Sequence, residues 1–169
     1  PKHLFDDPNI DLIVIPTPND THFPLAKAAL EAGKHVVVDK PFTVTLSQAR
    51  ELDALAKSLG RLLSVFHNRR WDSDFLTVKA LIAEGTLGEV AYFESHFDRF
   101  RPQVRNRWRE QAGPGSGVWY DLAPHLLDQA VNLFGLPVSM TVDLAQLRPG
   151  AQATDYFHAI LSYPQRRIV

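Results

Sequence analysis

Residues 11–22 read DLIVIPTPNDTH. An apolar run with three β-branched residues, Ile13, Val14 and Ile15, passes into the turn-forming Pro16-Thr17-Pro18-Asn19-Asp20, which is the pattern of a buried strand followed by a loop. His22 to Ala32 has helical spacing, with Pro24 near its start and Gly33 as a left-handed stop. His35 to Val38 reads as a second strand. Thr45 to Leu59 repeats its apolar residues at helical intervals, with Thr45 and Gln48 in capping-box relation and Gly60 at the end. Leu62 to Phe66 is a third strand. Strand, helix, strand, helix, strand predicts a parallel sheet with right-handed crossovers.

Ligands of such sheets bind beyond the carboxyl ends of the strands. Three polar stretches fall there: Thr17 to His22, Asp39-Lys40-Pro41, and His67-Asn68-Arg69-Arg70. Lys40 stands out, because a lysine between an apolar strand and a proline is held on stiff backbone at the sheet edge. An ordinary surface lysine is the alternative.

A second unit begins near Trp71. Ser73 to Glu84 reads as a helix, Glu89 to Phe97 as a strand, and Val138 to Leu147 and Asp155 to Tyr163 as two more strands. Between them lies Gly115 to Asp128, GSGVWYDLAPHLLD, a glycine-rich turn before a helix carrying Asp121, His125 and Asp128. Spacings of four and three place these groups along one stripe. An imidazole beside a carboxylate is suited to moving a proton near neutral pH. The alternative is a solvated or capping role, since Asp121 shortly before Pro124 also suits a helix start.

Composition narrows the function classes. The 169 residues are 45% hydrophobic and 22% charged, enough for a sizeable core, and a net charge of -1 argues against nucleic acid or an anionic membrane as partner. The arginines from Arg99 to Arg109 are interrupted by polar and apolar residues and flanked by Asp98 and Glu110, so they read as local contacts. Without cysteine there are no disulfides, thiolate catalysis or cysteine-ligated zinc, and a cytoplasmic location is expected. No apolar run is long enough to span a bilayer. A start at Pro1 and an end that reads as the opening of another strand suggest a piece of a longer protein.

Taken in order, TPNDTH, VVVDKPF and GSGVWYDLAPHLLD resemble the Gfo/Idh/MocA oxidoreductases, nicotinamide-dependent enzymes acting on sugars, inositols and related polyols. The similarity covers essentially the whole chain, and its detail is most similar to members that are NADP-dependent scyllo-inositol dehydrogenases. It implies an α/β fold: a partial Rossmann-type parallel sheet over residues 1–70, then over residues 71–169 part of an α+β substrate domain with a mainly antiparallel open sheet. The family's usual Glu-Lys-Pro is here Asp39-Lys40-Pro41. A glycine common between the family's Asp and His is here Ala123, which argues against a positive φ at that position.

The resemblance further implies the chemistry. His125 would accept the hydroxyl proton of a secondary alcohol, Asp121 would bind hydroxyls or orient the ring, and Lys40 would stabilise the alkoxide and touch the nicotinamide ribose. Thr17, Pro18, Asn19 and His22 would line the cofactor, with Arg70, Trp108 and Arg109 as further contacts and Asp128 as a further polyol contact. NADP is the expected cofactor, with NAD as the alternative, and the full-length form is expected to be a homo-oligomer. No G-x-G-x-x-G is present, so the 169-residue chain alone is expected to turn over little. Two rivals are a dinucleotide-binding regulatory protein without catalysis and a metal-dependent sugar isomerase using His96, Asp121, His125 and Asp128.

Overall fold

A computed structural model describes residues 1–169. The chain divides into two compact units, Pro1–Phe66 with Gly113–Gly115, and His67–Ala112 with Ser116–Val169.

In the first unit β1 (Leu12–Ile15), β2 (His35–Asp39) and β3 (Leu63–Phe66) form a parallel sheet in the order β1-β2-β3, with Ile13 opposite Val36 and Val36 opposite Leu63. Ile13, Ile15, Val36 and Val38 pack with Ala26, Ala29 and Leu30 of α2 (Asn19–Glu31) and with Leu52 and Ala56 of α3 (Leu46–Ser58). Leu30 and Leu52 are fully buried, each worth about 1.5–3 kcal/mol relative to an exposed side chain. The first strand is buried on one face only: Leu12 and Val14 are 48% and 59% exposed. Alternate side chains point to opposite faces of a sheet, and the core cluster takes Ile13 and Ile15. The capping box forms as expected, with the Gln48 amide N–H donating to Thr45 Oγ1 and Gln48 Oε1 accepting from the Thr45 amide.

One proline-based helix boundary moves. α2 begins at Asn19, five residues before Pro24, because the Thr21 amide and hydroxyl both donate to the Pro18 carbonyl and close a turn upstream. A short helix that the pattern did not suggest, α1 (Lys2–Asp6), precedes β1 and packs Phe5 against the first core.

In the second unit α4 (Ser73–Ala83) is followed by β4 (Tyr92–Phe93), α5 (Gly117–Phe134), β5 (Ser139–Ala145), β6 (Tyr156–Ser162) and β7 (Arg167–Ile168). The sheet order is β4-β7-β6-β5, antiparallel except for the β4–β7 pair. The strand expected over residues 89–97 is two residues long, Tyr92–Phe93, and pairs in parallel with β7. Ala130 of α5 joins Leu161, Tyr163 and Ile168 in the second core, and the Phe134 ring sits 5.5 Å from Phe93 and 6.5 Å from Tyr163. Pro124 lies inside α5, so Asp121 is a helical residue and not the helix start.

The start of α5 is set by a close approach. Gly117 has φ 86°, and a Cβ there would lie 2.7 Å from the Thr154 carbonyl oxygen, which accepts the Val118 amide at 2.7 Å. Only glycine fits both the backbone angle and the space. No helix is long and apolar enough to cross a membrane.

Candidate functional site

The first unit contributes loops at the carboxyl ends of its strands. His22 is wholly buried, with Nδ1 2.8 Å from the Pro41 carbonyl and Nε2 2.9 Å from the Thr17 carbonyl. It therefore ties the loop after β1 to the loop after β2.

Asn19 is also buried and donates to the Gly115 carbonyl at 2.7 Å. Pro18 is exposed, while Thr17 and Lys40 are partly buried. The Thr17 and Thr21 hydroxyl oxygens are 2.6 Å apart, and Thr21 gives its one hydrogen to Pro18, so Thr17 donates to Thr21 and keeps lone pairs for another donor. The Lys40 amide donates to Asp39 Oδ1 at 2.8 Å, which accounts for a short carboxylate at that position. The Lys40–Pro41 bond is cis. Thr17 thus presents an acceptor and Lys40 an ammonium donor at the sheet edge, both partly exposed, a pair of groups that suits the hydroxyls of a nucleotide ribose.

The second unit carries the stripe on α5. His125 is 6% exposed, and its ring lies edge-on to Phe97 at 6.4 Å between centroids. Arg69 sits over that same Phe97 ring at 5.0 Å. One turn before His125, Asp121 Oδ1 is 3.5 Å from Arg109 Nε, and Arg109 stacks on Trp108 at 4.3 Å. At the other end of the stripe Arg70 grips Asp128 with two parallel bonds of 2.7 and 2.6 Å, and His67 Nδ1 is 3.9 Å from the same carboxylate. Arg70 and Asp128, expected to contact cofactor and substrate respectively, thus hold each other. Gln129 adds a bond to the Arg69 carbonyl at 3.0 Å. The 3-10 turn Asn68–Trp71 is therefore fastened to the middle of α5.

A cavity of about 630 Å³ opens beside the stripe, with a largely apolar lining that includes Phe97, Trp119 and Leu122. Asp121 and Arg109 line it, whereas His125 does not. The cavity is therefore a neighbour of the candidate base and not its surroundings.

An ion network missing from the sequence reading borders the same cavity. Glu110, 8% exposed, accepts from Arg107 Nε at 2.7 Å and the Arg105 amide at 3.0 Å, and lies 3.1 Å from Arg148 Nη1. Arg148 also bonds Asp155 at 2.8 Å and the carbonyls of Arg101 and Gln103 at 3.2 and 3.3 Å. Burial pushes the Glu110 carboxyl up, but the Arg105 amide and the Arg107 and Arg148 guanidiniums outweigh it and hold it below the usual carboxylate range. Asp155 is likewise held low, its burial outweighed by the Leu147 amide and by Arg148. The one available signal was a lone glutamate closing an arginine-rich run. His96 pairs with Glu94 at 2.9 Å, and no three His, Asp or Glu side chains are arranged to hold a metal ion.

Comparison with known proteins follows the same division of the chain. Residues 1–67 match an oxidoreductase family with an NAD-binding Rossmann fold, and residues 75–169 match the GFO/IDH/MocA C-terminal domain. The chain is 92% identical over 169 residues to the uncharacterized oxidoreductase YdgJ of Escherichia coli, covering 100% of this chain and 49% of that protein. It is 43% identical to the NADP-dependent scyllo-inositol 2-dehydrogenase IolW of Bacillus subtilis, covering 96% and 45%. The solved structure of the oxidoreductase yvaA from Bacillus subtilis superposes with a TM-score of 0.95 at 42% identity, covering 99% of this chain and 48% of that one. The chain spans about half the length of the curated relatives it matches.

Proposed function

The chain belongs to the Gfo/Idh/MocA oxidoreductases, and from that premise we propose that the full-length protein oxidises a secondary alcohol of a polyol or sugar with a nicotinamide dinucleotide. One observation carries the reading: α5 presents a buried imidazole, His125, one turn from the carboxylate of Asp121. The similarity to a scyllo-inositol dehydrogenase makes scyllo-inositol the substrate to try first and NADP the preferred cofactor over NAD. Cytoplasmic location and a homo-oligomeric state belong to the same proposal.

The chemistry is divided among few groups. His125 takes the hydroxyl proton as the carbon–oxygen double bond forms, and its burial against Phe97 limits ring motion. Asp121 binds a substrate hydroxyl or steadies the imidazole, with Arg109 beside it. Lys40 places positive charge where the alkoxide develops, which stabilises the transition state more than the ground state. The Thr17 hydroxyl accepts from the ribose, and His22 keeps the Thr17 and Pro41 loops in register. A bound nicotinamide supplies the acceptor for the hydride leaving the same carbon.

The test uses full-length protein, following reduced-nicotinamide absorbance with scyllo-inositol, myo-inositol and glucose, each with NAD and NADP. His125→Ala is expected to lower kcat by about 10²–10⁴ and Lys40→Ala by about 10²–10³, with cofactor affinity changed far less. Turnover that persists in both variants would sink the assignment.

A further inference from the structure

Five arginines, Arg99, Arg101, Arg105, Arg107 and Arg109, lie between Asp98 and Glu110, in a chain whose net charge is only -1. Their environments differ. Arg107 is bonded to Glu110, and Arg109 sits beside Asp121. Arg99 and Arg101 line the cavity next to Asp121, and neither has a carboxylate within ion-pair distance. Asp98, the remaining acid in the segment, is 90% exposed and lies 3.9 Å from His96.

The backbone carrying Arg101 is fixed. Arg148, locked between Glu110 and Asp155, donates to the carbonyls of Arg101 and Gln103. The brace neutralises its own members and holds the loop from behind, yet neither Arg99 nor Arg101 forms an ion pair with its carboxylates. The Arg101 guanidinium is held below its usual range by burial, and then by the charges of Arg99, Arg105 and Arg107, with Glu110 opposing. Folding has gathered like charge on a preset loop beside an apolar cavity. A guanidinium pair so placed suits the planar, two-oxygen face of a phosphate or carboxylate.

We propose that Arg99 and Arg101 form an anion-recognition site, and that the molecule oxidised beside Asp121 carries a phosphate ester or carboxylate in addition to its hydroxyls. The substrate part rests on the dehydrogenase reading above, with neutral scyllo-inositol the uncharged counterpart of the preferred class. The two arginines act here as specificity residues that bind the substrate away from its reacting carbon.

The experiment titrates full-length protein calorimetrically, with and without NADP, using glucose, glucose 6-phosphate and glucuronate, and myo-inositol beside myo-inositol 1-phosphate. At least one anionic probe is expected to bind about ten-fold or more tightly than its neutral counterpart, by an advantage that shrinks as salt rises. Arg99→Ala and Arg101→Ala are expected to remove most of that advantage, and Arg101→Lys to keep part of it.

Equal binding of neutral and anionic probes by the wild type overturns the proposal, whether or not the variants fold. An advantage unchanged in variants that melt like the wild type also overturns it. A variant that alters only the preference for NADP over NAD assigns the arginines to the cofactor phosphate and overturns the substrate assignment. If the anionic advantage is present but neither these probes nor scyllo-inositol reduces NAD or NADP in the absorbance assay, the dehydrogenase reading fails while the anion site stands.

Discussion

Arg70 and Asp128 hold each other through two parallel hydrogen bonds, Nε to Oδ2 at 2.7 Å and Nη2 to Oδ1 at 2.6 Å, joining the turn after His67 to the middle of α5. Asp128 is 10% exposed and Arg70 46%, so the pair is only partly screened. Asp128→Ala is expected to cost about 1 kcal/mol, read as a lower melting temperature, with Asp128→Glu recovering part of it. If Asp128→Ala left stability untouched while abolishing polyol binding, Asp128 would be a substrate ligand after all.

The Glu110–Arg148–Asp155 brace makes a sharper prediction. Arg148→Ala leaves two buried carboxylates without their shared cation and is expected to cost about 3–5 kcal/mol, measured by denaturant unfolding. Glu110→Gln keeps the shape but loses the charge, and is expected to cost less.

The same carboxylates set an acid limit. Both are held below the usual range in the folded state, so the unfolded chain takes up their protons first as pH falls. Their contribution is fully present above the ordinary carboxylate range, about pH 4–5, and is lost as pH drops through their lowered folded values. Unfolding curves from pH 7 down to pH 3 are expected to steepen below about pH 5, and to steepen less in Glu110→Gln.

Gly117 and Gly135 form a matched pair of tests at the two ends of α5. Gly117→Ala meets both a positive φ of 86° and the Thr154 backbone, and is expected to cost at least about 2 kcal/mol. Gly135 has φ 75° and ψ -165° but nothing within 4 Å of an added Cβ, so Gly135→Ala carries the backbone strain alone and is expected to cost less than Gly117→Ala. Equal losses would mean that the Thr154 contact yields.

His22→Ala removes a fully buried ring and leaves the Thr17 and Pro41 carbonyls without it. A loss of about 3 kcal/mol is expected, together with weaker cofactor affinity, because the loops carrying Thr17 and Lys40 lose their tie. Unchanged cofactor binding in a destabilised variant would separate the tie from the site.

The legible parts of this molecule are those written locally. Thr45 and Gln48 announce their helix because both halves of the capping box lie within four residues. The Asp121–His125 stripe shows for the same reason, since helical spacing is a local property. What local pattern leaves open is decided by distant partners. Arg70 looked free for a ligand until Asp128, on another helix, was placed against it. Glu110 gains its meaning from Arg148 and Asp155, which no spacing rule connects to it. Pro24 suggested a helix start, and the upstream turn closed by Thr21 overrode it.

Thr154 and Asp155 are adjacent, yet Thr154 receives the Val118 amide at the head of α5 while Asp155 anchors Arg148 behind the arginine loop. One short stretch of chain therefore sets the height of the helix and the tension of the loop together. For anyone exchanging parts between relatives, the smallest portable cassette is residues 98–110 with residues 147–155. A graft of the first segment alone would arrive without its backing, and its new selectivity would be expected to blur.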